Sequence, residues 1–177
     1  MEFLSVTTHA DGGEKYLHNL FRYLCDDRMI LGMPYGVNAK DPKVIEAQFK
    51  LVASCFGNRN KNLVIHYMLS LSKEIAPNEW EAMYLLNEVF EPLTADHLVL
   101  IVVHKKEHLG SLYHGHVVVS TTNFIDGSFL SHNNKLNFMI AQRVADITGE
   151  ECRLAVDFKS KKGQVFFKEF KPSSQDN

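Results

Sequence analysis

The chain has 177 residues, 45% hydrophobic and 23% charged, an ordinary globular composition that excludes a disordered or fibrous chain. Nineteen Lys and Arg against twenty-one Asp and Glu leave a formal charge of −2, so bulk positive charge supplies no grip on nucleic acid. Cys25, Cys55 and Cys152 are scattered and form no Cys-x-x-Cys pair, which argues against a disulfide framework or a zinc ribbon and for a reducing, cytoplasmic setting. The N-terminus shows no signal-peptide pattern, and the longest apolar run, residues 98–103, is too short to span a bilayer, so no membrane role is expected.

Residues 3–8 alternate as a first strand, and Asp11-Gly12-Gly13 then punctuates the chain. Tyr16, Leu17, Leu20, Phe21 and Leu24 recur at helical spacing and predict a helix over 14–25. Residues 44–56 read as a second helix stopped by Gly57-Asn58, and residues 63–71 alternate as a strand. Pro77 opens a third helix that ends near Pro92, with Trp80 on its apolar face and expected in the core. Residues 98–104 and 113–120, rich in Val and Ile, read as central strands. A fourth helix over 134–149 has Gly149 where a C-cap belongs, and 153–158 with 164–170 form a hairpin around Lys161-Lys162-Gly163. The loop joining the two central strands is too short for a parallel crossover. The expected fold is therefore α+β, an α/β sandwich with helices packed on a largely antiparallel sheet. It forms one domain over 1–170, followed by a disordered tail over 171–177.

The chemistry concentrates in residues 103–117. His114 and His116 are two apart on a strand and so share a face, while Gly115 between them points the other way. His104 ends the preceding strand. If the two strands pair so that His104 lies opposite His114 or His116, three imidazoles converge on one face. Such a set forms a facial metal site with open positions for water or substrate, suited to Mn, Co, Ni or Zn, with Mg recruited through a phosphate.

The strand Leu100-Ile101-Val102-Val103-His104, followed by Tyr113-His114-Gly115-His116-Val117-Val118-Val119-Ser120, resembles the third motif of mobilization relaxases. These are DNA-nicking enzymes of the His-hydrophobe-His superfamily that act in plasmid and conjugative-element transfer. Residues 62–72, around His66, resemble the family's second motif, and residues 124–133 are similar to its post-metal segment. Residues 20–28, with Tyr23, resemble its first, which carries the nucleophilic tyrosine. The resemblance spans residues 1–150, with the motifs in the family's order.

The resemblance implies a nickase that cuts one strand at a transfer origin, with Tyr23 attacking the phosphodiester to leave a 5′-phosphotyrosyl adduct. It implies a divalent metal ion, Mn or Mg, on His104, His114 and His116. Its partners would be single-stranded or hairpin DNA, and other mobilization or secretion-channel proteins. Tyr16, two turns earlier on the helix, is the alternative nucleophile. The family commonly has an acid two residues after the first histidine. Here Lys106 stands there, and Glu107 replaces the acid, serves as a fourth metal ligand or belongs to a solvated loop. His66 is either a DNA or metal-shell contact or a hydrogen-bonded core histidine. A cleavage-deficient DNA-binding regulator and a rolling-circle replication initiator are the alternative readings.

Basic residues are locally grouped despite the net charge. Arg22 and Arg28 flank Tyr23, Arg59 and Lys61 precede the second motif, and Lys159, Lys161 and Lys162 lie on the last hairpin. If these line one face, while Glu79, Glu81, Glu88 and Glu91 sit on a helix behind it, the net charge hides a dipolar surface.

Overall fold

A computed structural model describes residues 1–7, 14–38, 41–105, 113–157 and 165–173. Seven strands and four helices alternate in the order β1 (Glu2–Thr7), α1 (Glu14–Leu24), β2 (Met29–Tyr35), α2 (Pro42–Cys55), β3 (Val64–Ser70), α3 (Glu79–Thr94), β4 (His97–His104), β5 (His114–Asn123), α4 (Asn134–Thr148), β6 (Cys152–Asp157) and β7 (Val165–Phe170). The strands form one sheet in the order β2-β4-β5-β3-β1-β6-β7. Every neighbouring pair is antiparallel except β1 with β6. The fold is α+β, as the alternation of elements implies.

Strand alternation sends the apolar side chains of the central strands to two cores. Ile65, Tyr67, Val99, Ile101, Val117 and Val119 point to the face covered by α3 and α4. Leu100, Val102 and Val118 point to the other, where α1 and α2 lie. The helices start on polar caps. Asp41 accepts from the Lys43 amide ahead of α2, Asn78 accepts from the Trp80 and Glu81 amides ahead of α3, and Asn133 accepts from the Leu136 amide ahead of α4. Gly149, at φ 70°, closes α4 in the left-handed conformation that glycine adopts without strain.

Three expectations change. β2 escapes the periodicity because it is an edge strand, largely exposed on both faces, with Gly32 and Pro34 inside it and a bulge between Met29 and Leu31. The third helix runs past Pro92 to Thr94. Pro92 has no N–H for the Glu88 carbonyl, and Arg143 of α4 takes its place: Nη2 donates to Glu88 O at 2.6 Å and Nε to Val89 O at 2.9 Å. Trp80 is not core but 67% exposed, because α3 turns Ala82 and Met83 to the buried side instead. Residues 171–173 lie against α4, where Gln142 donates to Lys171 O and the Ser173 amide donates to Asp146, and the remaining tail residues 174–177 fall outside the described residues.

Candidate active site

β4 and β5 pair with His104 directly opposite His114 and with Val102 opposite His116. His104, His114 and His116 therefore share one face, the face of α1 and α2. The ring centroids of His104 and His116 are 4.7 Å apart. Both residues are buried, and His114 is half-buried beside them. Behind the cluster, Gly115 lets α3 press against the sheet: a Cβ there would stand 2.4 Å from the Leu86 methyls.

Each imidazole is held by a neighbour. Nε2 of His104 bonds the Leu24 carbonyl at 2.8 Å. A carbonyl only accepts, so Nε2 carries a proton, and Nδ1 is the nitrogen left to face the cluster. His116 Nδ1 meets His66 Nε2 at 3.1 Å, and His114 Nδ1 meets Ser70 Oγ at 2.9 Å. Burial pulls the His116 pKa down to about 2, with the nearby His66, His104, His114 and Arg28 adding to the effect. His116 is neutral throughout the physiological range.

α1 delivers Tyr23 to this cluster. The ring lies edge-on to His104 at 5.5 Å and perpendicular to His116 at 5.4 Å. The Arg28 guanidinium sits 4.4 Å over the same ring. Arg28 is itself held by Asp26, to which Nε donates at 3.0 Å and Nη2 also donates. The bond from Arg28 holds the Asp26 carboxyl down at about 2. The last turn of α1 brings the negative end of its dipole toward the histidines, a setting favourable to a cation.

The structure thus brings Tyr23, Arg28, His66, His104, His114 and His116 together. His66 stacks on His116 at 5.3 Å rather than sitting apart in the core. Arg22 is exposed on the last turn of α1. Tyr16 packs against the α1–α2 core, and burial pushes its phenol well above the usual range. Tyr113 points to the opposite face, where its hydroxyl donates to Glu79. Lys61 lies over Phe129, ahead of β3 and beyond the end of that strand opposite to Ser70. Glu107, Lys159, Lys161 and Lys162 fall outside the described residues. Sequence reasoning missed Ser70, Asp26 and the Leu24 carbonyl. Asp26, two residues before Arg28, was the one with a visible signal.

Among the described residues, no group of three or more His, Cys, Asp or Glu side chains is drawn close enough to hold a metal ion as it stands. The donor chemistry nevertheless fits a divalent cation. The imidazoles share one face, His116 is uncharged, and a backbone carbonyl orients His104 in the manner of an outer-shell partner. Among the described residues, no helix is long and apolar enough to cross a membrane.

Comparison with known families turns these observations into a class, that of DNA-nicking nucleases. A family model described as "Relaxase: MobA/VirD2-like, nuclease domain" matches residues 23–153, from Tyr23 through all four clustered histidines. The chain belongs to this relaxase family. No curated protein matches it.

Proposed function

We propose that the chain cuts one DNA strand at a transfer origin by transesterification, with Tyr23 as the nucleophile. The observation that carries this reading is the Tyr23 ring set against both His104 and His116, in a residue 39% exposed and so within reach of substrate. As Tyr23 Oη bonds to phosphorus, the bond to the 3′-oxygen breaks. The phenol gives up its proton, and the 3′-oxygen takes one and leaves as a hydroxyl. The 5′-phosphotyrosyl adduct retains the energy of the diester, so the reverse attack reseals the strand.

A phenol with a pKa of about 10 is a weak nucleophile at neutral pH and needs help. His104, His114 and His116 would hold a divalent cation, Mn or Mg being the expected ions, with Zn, Co and Ni also suited to imidazole. When bound it supplies Lewis-acid stabilisation of the charge gathering on the phosphate. The remaining work falls to the chain. His66 and Ser70 fix the His116 and His114 rings, and the Leu24 carbonyl fixes His104. Arg28 holds the Tyr23 ring and presents a guanidinium where a phosphate would approach.

Arg22, His66, Lys161 and Lys162 are the proposed further DNA contacts, and Glu107 is the proposed acid. The proposed setting is cytoplasmic, with other mobilization or secretion-channel proteins as partners. The test is incubation with Mn and single-stranded oligonucleotides tiling the DNA that adjoins the protein's gene. A covalent adduct on a denaturing gel, lost in Tyr23→Phe with binding retained, supports the reading. An adduct that persists in Tyr23→Phe moves the nucleophile elsewhere, Tyr16 first. Tight binding with no adduct under any divalent metal assigns the chain to the cleavage-deficient binders.

A further inference from the structure

The site face of the sheet continues well beyond the histidines. Strand register carries one row of side chains from His104 through His114, Ser70, Phe3 and Arg153 to Glu169. The adjacent row runs from Val102 through His116, Met68, Ser5 and Ala155 to Phe167. α1 and α2 cover the β4–β5 part of this face through Leu100, Val102 and Val118. Past β3 the cover thins. Phe3 and Ser5 are half-buried, Arg153 is exposed, and Phe167 is 51% exposed. The Arg153 guanidinium lies 4.9 Å over the Phe167 ring. From His114 to Arg153 is three strand steps, about 14 Å.

The exposure of Phe167 is not a packing failure. Phe166 and Phe170 alternate to the opposite face and pack on Phe138 of α4, so the hairpin is anchored from behind. Between Met68 and Phe167 the row holds two short side chains, half-buried Ser5 and buried Ala155. Asp157 and Glu169 share this face and bracket the patch. Their charge repels phosphates from the sheet.

We infer that this face, with Phe3, Met68, Arg153 and Phe167, takes the bases of the single strand running away from the scissile phosphate, stacking them on the Phe167–Arg153 pair. The inference rests on the nickase reading, which supplies the strand. An aromatic ring and a guanidinium plane offer stacking surfaces to any base. The bracketing carboxylates set the strand base-side down. The rows of the sheet lead it to His114 and His116.

The test is fluorescence anisotropy with the full chain and two single-stranded oligonucleotides of equal length and charge. One has normal bases, and the other is abasic on one side of the cleavage position. The expected results are tighter binding of the normal strand, a loss of about tenfold in Phe167→Ala, and recovery in Phe167→Trp. The Phe167→Ala loss should be equal at low and high salt and absent on the abasic strand. Wild-type affinity in Phe167→Ala, or an equal loss on both strands, would overturn the inference. So would a change in oligomeric state in that variant, which would make the face a contact between copies. If base-dependent binding through Phe167 holds while no adduct forms, the nickase reading fails and the stacking face stands. If wild type binds no single strand, both fall.

Discussion

The backbone carbonyl of Leu24 accepts a hydrogen bond from Nε2 of His104 at 2.8 Å. The bond satisfies an end carbonyl of α1, and it fixes a site imidazole to the residue that follows Tyr23. Helix and histidine are therefore not independent. His104→Ala is expected to cost about 1–3 kcal/mol in urea unfolding, because the carbonyl is left buried without its donor. It should also abolish adduct formation. Tyr23→Phe removes only a hydroxyl and should stay within about 0.5 kcal/mol of wild type.

Gly115 separates two site histidines on one face and receives Leu86 on the other. Gly115→Ala places a methyl 2.4 Å from the Leu86 side chain and should destabilise by about 1–3 kcal/mol. In a Leu86→Ala background the same change should cost less, because the space is then open. A double-mutant cycle by chemical denaturation measures the difference; equal costs in the two backgrounds would remove Leu86 as the cause.

Arg143 stands in for the amide that Pro92 lacks. Arg143→Met should cost about 1–2 kcal/mol by freeing the Glu88 and Val89 carbonyls. With Pro92→Ala the helix regains its own donor to Glu88, and the penalty for losing Arg143 should shrink. Thermal melts of the four combinations read this coupling directly.

Asp26 gains its low pKa from Arg28, so its contribution to stability has a definite sign with pH. A carboxyl held at about 2 rather than its ordinary 3.8 stabilises the fold above the higher value, and that stabilisation is lost as pH falls toward the lower one. Between about pH 4 and pH 2, the wild type should lose stability more steeply than Asp26→Asn. Unfolding followed by circular dichroism across this window is the measurement.

The histidines were legible because strand geometry forces His114 and His116 to one face, and a short loop forces the antiparallel pairing that adds His104. The helices of the middle of the chain were legible from apolar spacing and caps. β2 was not, since an exposed edge strand broken by Gly32 and Pro34 has no alternation to read. Trp80 misled because an aromatic at helical spacing does not by itself fix which face of the helix is buried. The partners that hold the site were mostly invisible. The acceptor at Leu24 is a backbone carbonyl that any residue type would supply, and Ser70 reaches His114 only through the β3–β5 register.

The position of β1 has a kinetic consequence. β3, β4 and β5, which hold the histidines, are contiguous neighbours that can assemble from local hairpin-like contacts once residue 123 is made. β6 must instead return across most of the chain to lie parallel to β1, a pairing of high sequence separation that closes slowly. During synthesis, therefore, the histidine centre can precede the Arg153–Phe167 end of the sheet, and β1 waits as an open edge until β6 arrives.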